Sequence, residues 1–274
     1  MKSGTKMRLT WIVLLAAIVA LSGCATGLRL DTSKTAVSQE SRVKFLIIHY
    51  TAQDMPTALH TLTQQEVSAH YLVGDDNPTT IYRLVDESQT AYQAGLSDWK
   101  GYSRLNPSSI GIEIVNLGYH DGPNGRTYVP FPQYQIDSLI PLVKEIVARH
   151  HIKPENILGH QEIAPQRKPD PGPLFPWKQL ADAGLIPTLD AALITAKKDE
   201  YDQQLPDIAW FQKKLAQHGY ATPQTGVLDN ATRNVLIAFQ ARYRPAKFDG
   251  SADAESAAIL EVLTTTKPFT KPQQ

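Results

Sequence analysis

Leu158 to Gly172 places His160, Lys168 and Asp170 together in a stretch dense in turn formers, directly after a short apolar run. Pro165, Pro169, Pro171 and Gly172 rule out a long helix there. A histidine and a carboxylate beside a cation suit part of a metal site. Two protein ligands are too few for catalytic zinc, which commonly takes three and keeps a fourth position for water. His49 is the candidate third ligand, because it ends Phe45-Leu46-Ile47-Ile48, the most apolar run in the body of the chain. Glu113 stands in the otherwise apolar run Ser109 to Asn116, where a carboxylate is costly unless it faces a cavity or a partner. It suits a general base that takes a proton from water and passes it to a leaving amine. Lys168 suits the oxyanion of a tetrahedral intermediate. On spacing alone, ordinary ion pairs remain an equal reading of these residues.

The elements that must carry them follow from periodicity. Phe45 to Ile48 reads as a central strand covered on both faces, with His49 at its carboxyl end, where open α/β sheets place their sites. Ala69–Val73 and Ile81–Val85 read as two strands of a hairpin joined by Gly74-Asp75-Asp76-Asn77-Pro78. In Ser109–Asn116, Ile110, Ile112 and Ile114 share one face, with Gly111, Glu113 and Val115 on the other. Thr63-Gln64-Gln65-Glu66 has the form of a capping box and predicts a short helix start. Ile136, Leu139, Ile140, Val143, Ile146 and Val147 predict an amphipathic helix to about His150, with Pro141 inside it. This order implies an α/β domain with a mixed central β-sheet flanked by helices, over residues 42–186. Residues 187–206 read as a linker, partly helical. Residues 207–264 carry three short apolar stripes and read as a second, small all-helical domain, with 265–274 as a tail.

The chain has 274 residues, with 27 Lys+Arg against 27 Asp+Glu. Zero formal charge argues against a nucleic-acid binder. Residues 1–23 read as a secretory signal: Lys2, Lys6 and Arg8, then an apolar run from Leu9 to Leu21 too short to span a bilayer. Cys24 is the only cysteine and cannot form an internal disulfide. Leu21-Ser22-Gly23-Cys24 resembles the bacterial lipobox. That resemblance implies cleavage before Cys24, acylation of Cys24, and a polar tether over 24–41; with Ala25 next, it implies the periplasmic face of the outer membrane.

Phe45-Leu46-Ile47-Ile48-His49-Tyr50-Thr51, Ser68-Ala69-His70-Tyr71, Ser109-Ile110-Gly111-Ile112-Glu113, and Gly159-His160 with Lys168-Pro169-Asp170-Pro171-Gly172 together resemble the type-2 N-acetylmuramoyl-L-alanine amidases. That family is related to the peptidoglycan recognition proteins. The resemblance covers about residues 43–185. It implies one catalytic zinc on His49, His160 and Asp170, with Glu113 and Lys168 as the catalytic pair. The implied reaction cuts the amide between N-acetylmuramic acid, ordinary or anhydro, and L-alanine. Trp210-Phe211-Gln212, Gly219-Tyr220, Gly226-Val227-Leu228-Asp229, Thr232, Phe239-Gln240 and Asp249-Gly250 resemble the peptidoglycan-binding module of wall hydrolases. A module of this kind raises the local concentration of enzyme on polymer.

Tyr50, His70, Trp99, Arg104 and Asn116 are candidate substrate contacts, and His60, His120 and His218 are expected at the surface. The expected partners are peptidoglycan, muropeptides and, through the lipid, a membrane; the expected state is a monomer. The competing function is wall binding without catalysis.

Overall fold

The computed structural model describes residues 30–123 and 125–265. The readings placed on the leader, on Cys24 and on the tail from residue 266 lie outside them. Residues 30–40 are exposed, carry no helix or strand, and belong to a unit apart from Ser41 onward.

The strands are β1 (Phe45–Tyr50), β2 (Tyr71–Val73), β3 (Ile81–Arg83), β4 (Asp98–Trp99), β5 (Tyr102–Ser103), β6 (Ser109–Ile114), β7 (Tyr119–Gly122), β8 (Gly125–Tyr128) and β9 (Ile157–Gly159). Five of them build the central sheet in the order β3-β2-β6-β1-β9. β2, β6, β1 and β9 run parallel, and β3 pairs antiparallel with β2 through the expected hairpin. The sheet is therefore mixed, as anticipated.

The helices are α1 (Met55–Gln64), α2 (Gln133–His150), α3 (His160–Ile163), α4 (Trp177–Asp182), α5 (Ala191–Gln203), α6 (Ile208–His218), α7 (Asn230–Tyr243) and α8 (Ala254–Thr265). The capping-box reading at Thr63 fails, because α1 ends at Gln64. Its start is instead set by Asp54, whose carboxylate accepts the Thr57 N–H at 3.0 Å, and by Pro56 in the first turn. α2 runs through Pro141.

Strand alternation sorts the core. Leu46, Ile48, Ile110, Ile112 and Ile114 join Ile136, Leu139, Val143 and Ile146 of α2 on one face. Phe45 and Ile47 join Trp99, Leu158 and Ile163 on the other, in one cluster with Phe211, Leu215, Val235, Leu236, Phe239 and Leu260 of the helical part. Two residues on from Ile47, His49 falls on that second face. The helical part thus shares a core with the sheet. A bundle of some 60 residues buries little by itself, and fusing its core to a larger one removes that weakness. The segment expected as a linker is helical over Ala191–Gln203, and Tyr201 packs edge-on against Trp210 with ring centres 5.5 Å apart.

Inside the helical part the glutamines are staples. Gln212 is fully buried; it donates to Thr225, Val227 and Thr232, and its oxygen accepts the Gly226 N–H at 2.8 Å. Gln240 repeats the pattern with Ser251, Ser256 and the Gly250 N–H. Asp229 and Asp253 then cap the helices that follow, α7 and α8. The Phe-Gln, Gly and Asp positions of this part are accounted for as architecture.

Candidate active site

His49 stands one residue before the end of β1, Glu113 one residue before the end of β6 on the neighbouring strand, and His160 follows β9 directly. All three sit at carboxyl ends of parallel strands. His49 and Glu113 are register partners, so their side chains leave the same face side by side. Asp170 returns beside them because the Gln161 N–H donates to the Asp170 carbonyl at 2.7 Å.

The three proposed ligands meet. His49 Nδ1, His160 Nδ1 and Asp170 Oδ2 form a triangle with sides of 3.0, 3.0 and 3.1 Å, and all three residues are buried. The partners of the outer ring nitrogens bear on the tautomers. His49 Nε2–H donates to Gln93 Oε1 at 2.6 Å. His160 Nε2 lies 3.2 Å from the Ala94 carbonyl and 3.2 Å from Arg167 Nη2, and as a metal ligand through Nδ1 it carries its proton on Nε2, toward the Ala94 carbonyl. Both Nδ1 atoms then present lone pairs to each other and to a carboxylate oxygen, an arrangement that calls for a cation between them. Tetrahedral zinc with bonds of about 2.0–2.1 Å sets its donors about 3.3 Å apart, close to the separations found. The donor set of two imidazoles and one carboxylate fits zinc.

The charges agree. Burial lowers the His49 pKa, but Glu113 and Asp170 raise it by more, so positive charge is favoured at this point. Burial holds His160 down at about 4 and hence neutral, the ligand form. Burial would raise Asp170, but His160 and His49 hold it well below the carboxylate range. Glu113 is pushed up to about 7 by burial, with His49 and Lys168 opposing, and its Oε2 is buried without a partner.

A cleft of about 350 Å³ exposes the triangle, lined by Tyr50, Gln93, Glu113, Tyr119, Arg167 and Lys168 among others. A second hollow of about 340 Å³ shares Tyr119, Arg167, Lys168 and Pro169 with it and continues to α7 and Phe248.

The tentative contacts divide. Tyr50 lines the cleft, with a buried hydroxyl that has no hydrogen-bond partner. His70 does not line it: it is fully buried, its Nδ1 accepting the Gly111 N–H at 3.1 Å and its Nε2 facing the Gln89 carbonyl. Asn116 is spent on structure, donating to the Val129 and Pro130 carbonyls and accepting the Gly118 N–H. Trp99 is buried against the helical part, 5.0 Å from Tyr220 and 5.5 Å from His218 between ring centres, and lines a different cavity. His218 is consequently half-buried rather than a surface residue. Arg104 is exposed in a left-handed turn outside the cleft.

Three contributors escaped the sequence reading. Gln93 holds His49, and its own amide donates to Ser109 Oγ at 2.7 Å. The Ala94 carbonyl holds His160. Arg167 reaches the carbonyls of Ala94 and Leu96 beside His160. One signal was available: Gly111 interrupts a strand, which marks a close approach, and a Cβ there would come within 2.8 Å of Gln93 Cδ.

Comparison with known proteins agrees with this geometry. The family model described as N-acetylmuramoyl-L-alanine amidase matches residues 39–173, and that of a peptidoglycan binding domain matches residues 204–260. The chain is 43% identical over 270 residues to the N-acetylmuramoyl-L-alanine amidase AmiD of Escherichia coli K12, covering 93% of this chain and 97% of that protein. The solved complex of E. coli AmiD with anhydro-N-acetylmuramic acid-L-Ala-D-gamma-Glu-L-Lys superposes with a TM-score of 0.79 over 86% of this chain and 94% of that one. AmpDH3 of Pseudomonas aeruginosa, solved with an anhydromuramic pentapeptide, gives 0.81 at 37% identity over 88% of this chain and 100% of that one. Similarity along almost the full length of both chains, joined to three buried donors that call for a cation, shows that this chain belongs to the N-acetylmuramoyl-L-alanine amidase family.

Proposed function

We propose that the protein hydrolyses the amide between N-acetylmuramic acid, including its anhydro form, and L-alanine, in turnover of the cell wall. His49, His160 and Asp170 would hold one zinc ion. Bound there, zinc acts as a Lewis acid and lowers the pKa of a water to about 7. The observation that carries the reading is the triangle of donors beside Glu113, whose Oε2 is buried without a partner, in one open cleft.

The chain's own residues divide the rest. Glu113, on the strand beside His49, takes the proton of the attacking water and returns it to the leaving amine of L-alanine. Burial raises its carboxyl above the usual carboxylate range, the direction that suits a group which must both take and return a proton. Lys168, exposed on the rim of the cleft, offers its ammonium to the oxyanion. Gln93 and the Ala94 carbonyl keep the imidazoles turned with Nδ1 inward. Tyr50 contributes a wall of the cleft.

The helical part would bind polymeric wall as a peptidoglycan-binding domain. The lipobox-like Leu21-Ser22-Gly23-Cys24 supports acylation at Cys24 and a tether, through the polar stretch to residue 41, to the periplasmic face of the outer membrane. The test is incubation of purified protein with a defined anhydromuropeptide, with and without a chelator. Release of free stem peptide that stops with the chelator supports the reading. Binding to wall without release would favour the non-catalytic alternative, and fragments cut inside the stem would identify a peptidase instead.

A further inference from the structure

We propose that Arg242 of the helical part is a positioning residue for His160, acting through Glu162. The inference rests on His160 being a metal ligand.

α3 is four residues long and begins at His160. One turn cannot hold its own direction, because helix formation has a costly nucleus. Its direction is imposed from outside. Glu162 Oε2 accepts the Gly159 N–H at 2.7 Å, closing the turn that carries the ligand. Glu162 is fully buried, and a carboxylate in that setting needs a partner. Arg242 supplies it from α7: its Nη1 lies 2.5 Å from Glu162 Oε2 and also donates to the Ile157 carbonyl at 3.0 Å. Its guanidinium carbon sits 4.1 Å over the Trp177 ring. One planar group thus grips β9 before His160 and α3 after it.

The same helix holds the rest of the ligand loop. Gln161 Nε2 donates to the Ala238 carbonyl at 3.4 Å, and Gln166 exchanges hydrogen bonds of 3.0 Å with the Ala231 carbonyl and the Asn234 amide. Four residues of α7, Ala231, Asn234, Ala238 and Arg242, therefore make five hydrogen bonds to the segment between Ile157 and Asp170. Stability alone is a poor reason for the ion pair, since buried pairs are often no better than apolar replacements. Here Glu162 Oε1 and Arg242 Nε also go without partners. Fixing the geometry of the ligand loop is the better account.

The test uses the full chain, stripped of metal, with zinc affinity read by competition against a chromophoric chelator. The double variant Arg242→Met/Glu162→Gln removes both charges while leaving an acceptor for the Gly159 N–H. It is expected to bind zinc about 10-fold or more weakly, the usual effect of losing support behind a ligand. Arg242→Lys, which keeps the charge but not the fork, should also weaken zinc and covers the case in which the double variant does not fold. Leu260→Ala, in the core of the helical part and off the ligand loop, should lower the melting temperature and leave zinc affinity unchanged. Wild-type affinity in either folded Arg242 variant overturns the proposal, as does a loss in Leu260→Ala equal to theirs. Failure of the amidase reading would look different: the wild-type chain would itself not bind zinc or not release stem peptide.

Discussion

Gly111→Ala should damage zinc binding although Gly111 contacts no ligand. The residue lies inside β6, in ordinary strand backbone, so the methyl group strains nothing by itself. It would, however, come within 2.8 Å of Gln93 Cδ and 3.2 Å of Gln93 Cβ, and the Gln93 side chain must move away. That side chain accepts the His49 Nε2–H at 2.6 Å and donates to Ser109 Oγ, which in turn donates to the Leu105 carbonyl at 2.8 Å. Displacing it leaves a buried imidazole N–H without its acceptor, at a cost of about 1–3 kcal/mol. Loss of such a partner typically weakens metal binding about 10–100-fold, or about 1.4–2.7 kcal/mol. Gln93→Ala should produce the same loss by direct removal. In the Gln93→Ala background the added methyl has only the Cβ of residue 93 to meet, so Gly111→Ala should then cost little more. The pair should therefore couple by at least about 1 kcal/mol. Chelator competition on the metal-free proteins measures all three variants, and melting curves check that each is folded. A Gly111→Ala protein with wild-type zinc affinity, or a double variant that loses the full sum, would refute the chain of contact from strand to ligand.

Other substitutions separate the roles. Asp170→Ala removes a corner of the donor triangle and should weaken zinc more than Gln93→Ala does; equal or smaller loss would remove Asp170 from the ligand set. Glu113→Gln should keep zinc within a few-fold and lower turnover by about 10²–10⁴, the range of general acid–base catalysis; an active variant would dismiss the base assignment. Glu87 lies far along the fold and reports on stability. Burial would raise its carboxyl, but hydrogen bonds from Arg149, Tyr71 and His150 outweigh that and bring it down to about 2. A depressed folded-state pKa stabilises the protein above the unfolded value of about 4.3 and loses that effect as the pH falls toward 2. Because Arg149 is half-exposed, about 1–2 kcal/mol is expected rather than the full shift. Glu87→Gln should melt lower than wild type at pH 7 and converge with it near pH 2–3; a gap independent of pH would contradict this.

What could be read from the residues alone followed from cost. A carboxylate in an apolar strand, or a histidine at the end of one, must be justified by its surroundings, so Glu113 and His49 stood out. Residues chosen for their type or for their place beside such positions carry no comparable penalty. His70 inside a motif, Asn116 beside one and Trp99 in a loop rich in glycine and serine all face inward instead, where each satisfies backbone or packs in the core. Residue type states how many hydrogen bonds a side chain can make but not in which direction. Gln93 was silent for the converse reason: it stands in an aperiodic polar loop, and its importance is written in Gly111, the residue that makes room for it.

The same reasoning bears on how the two parts of the molecule act together. Separate apolar stripes after residue 207 suggested a domain on a linker, because periodicity shows that a face is buried and not against what. In the fold, Phe211, Val235 and Phe239 share a cluster with Phe45 and Ile47 of β1, the strand that delivers His49. Lys100 N–H donates to the Gly219 carbonyl at 2.8 Å, and Trp99 packs where a Cβ on Gly219 would stand, so the seam extends from the sheet to the turn after α6. A tether of fixed geometry differs from a flexible one in its consequence. It cannot search widely around a bound site, but it presents the cleft to the polymer in one orientation. Inserting a flexible segment at residues 187–190 should therefore leave the seam closed, since the shared core and not the connection holds it. Polarity changes within the seam, such as Phe239→Ser, should instead loosen the helical part from the sheet, read as a lower melting temperature.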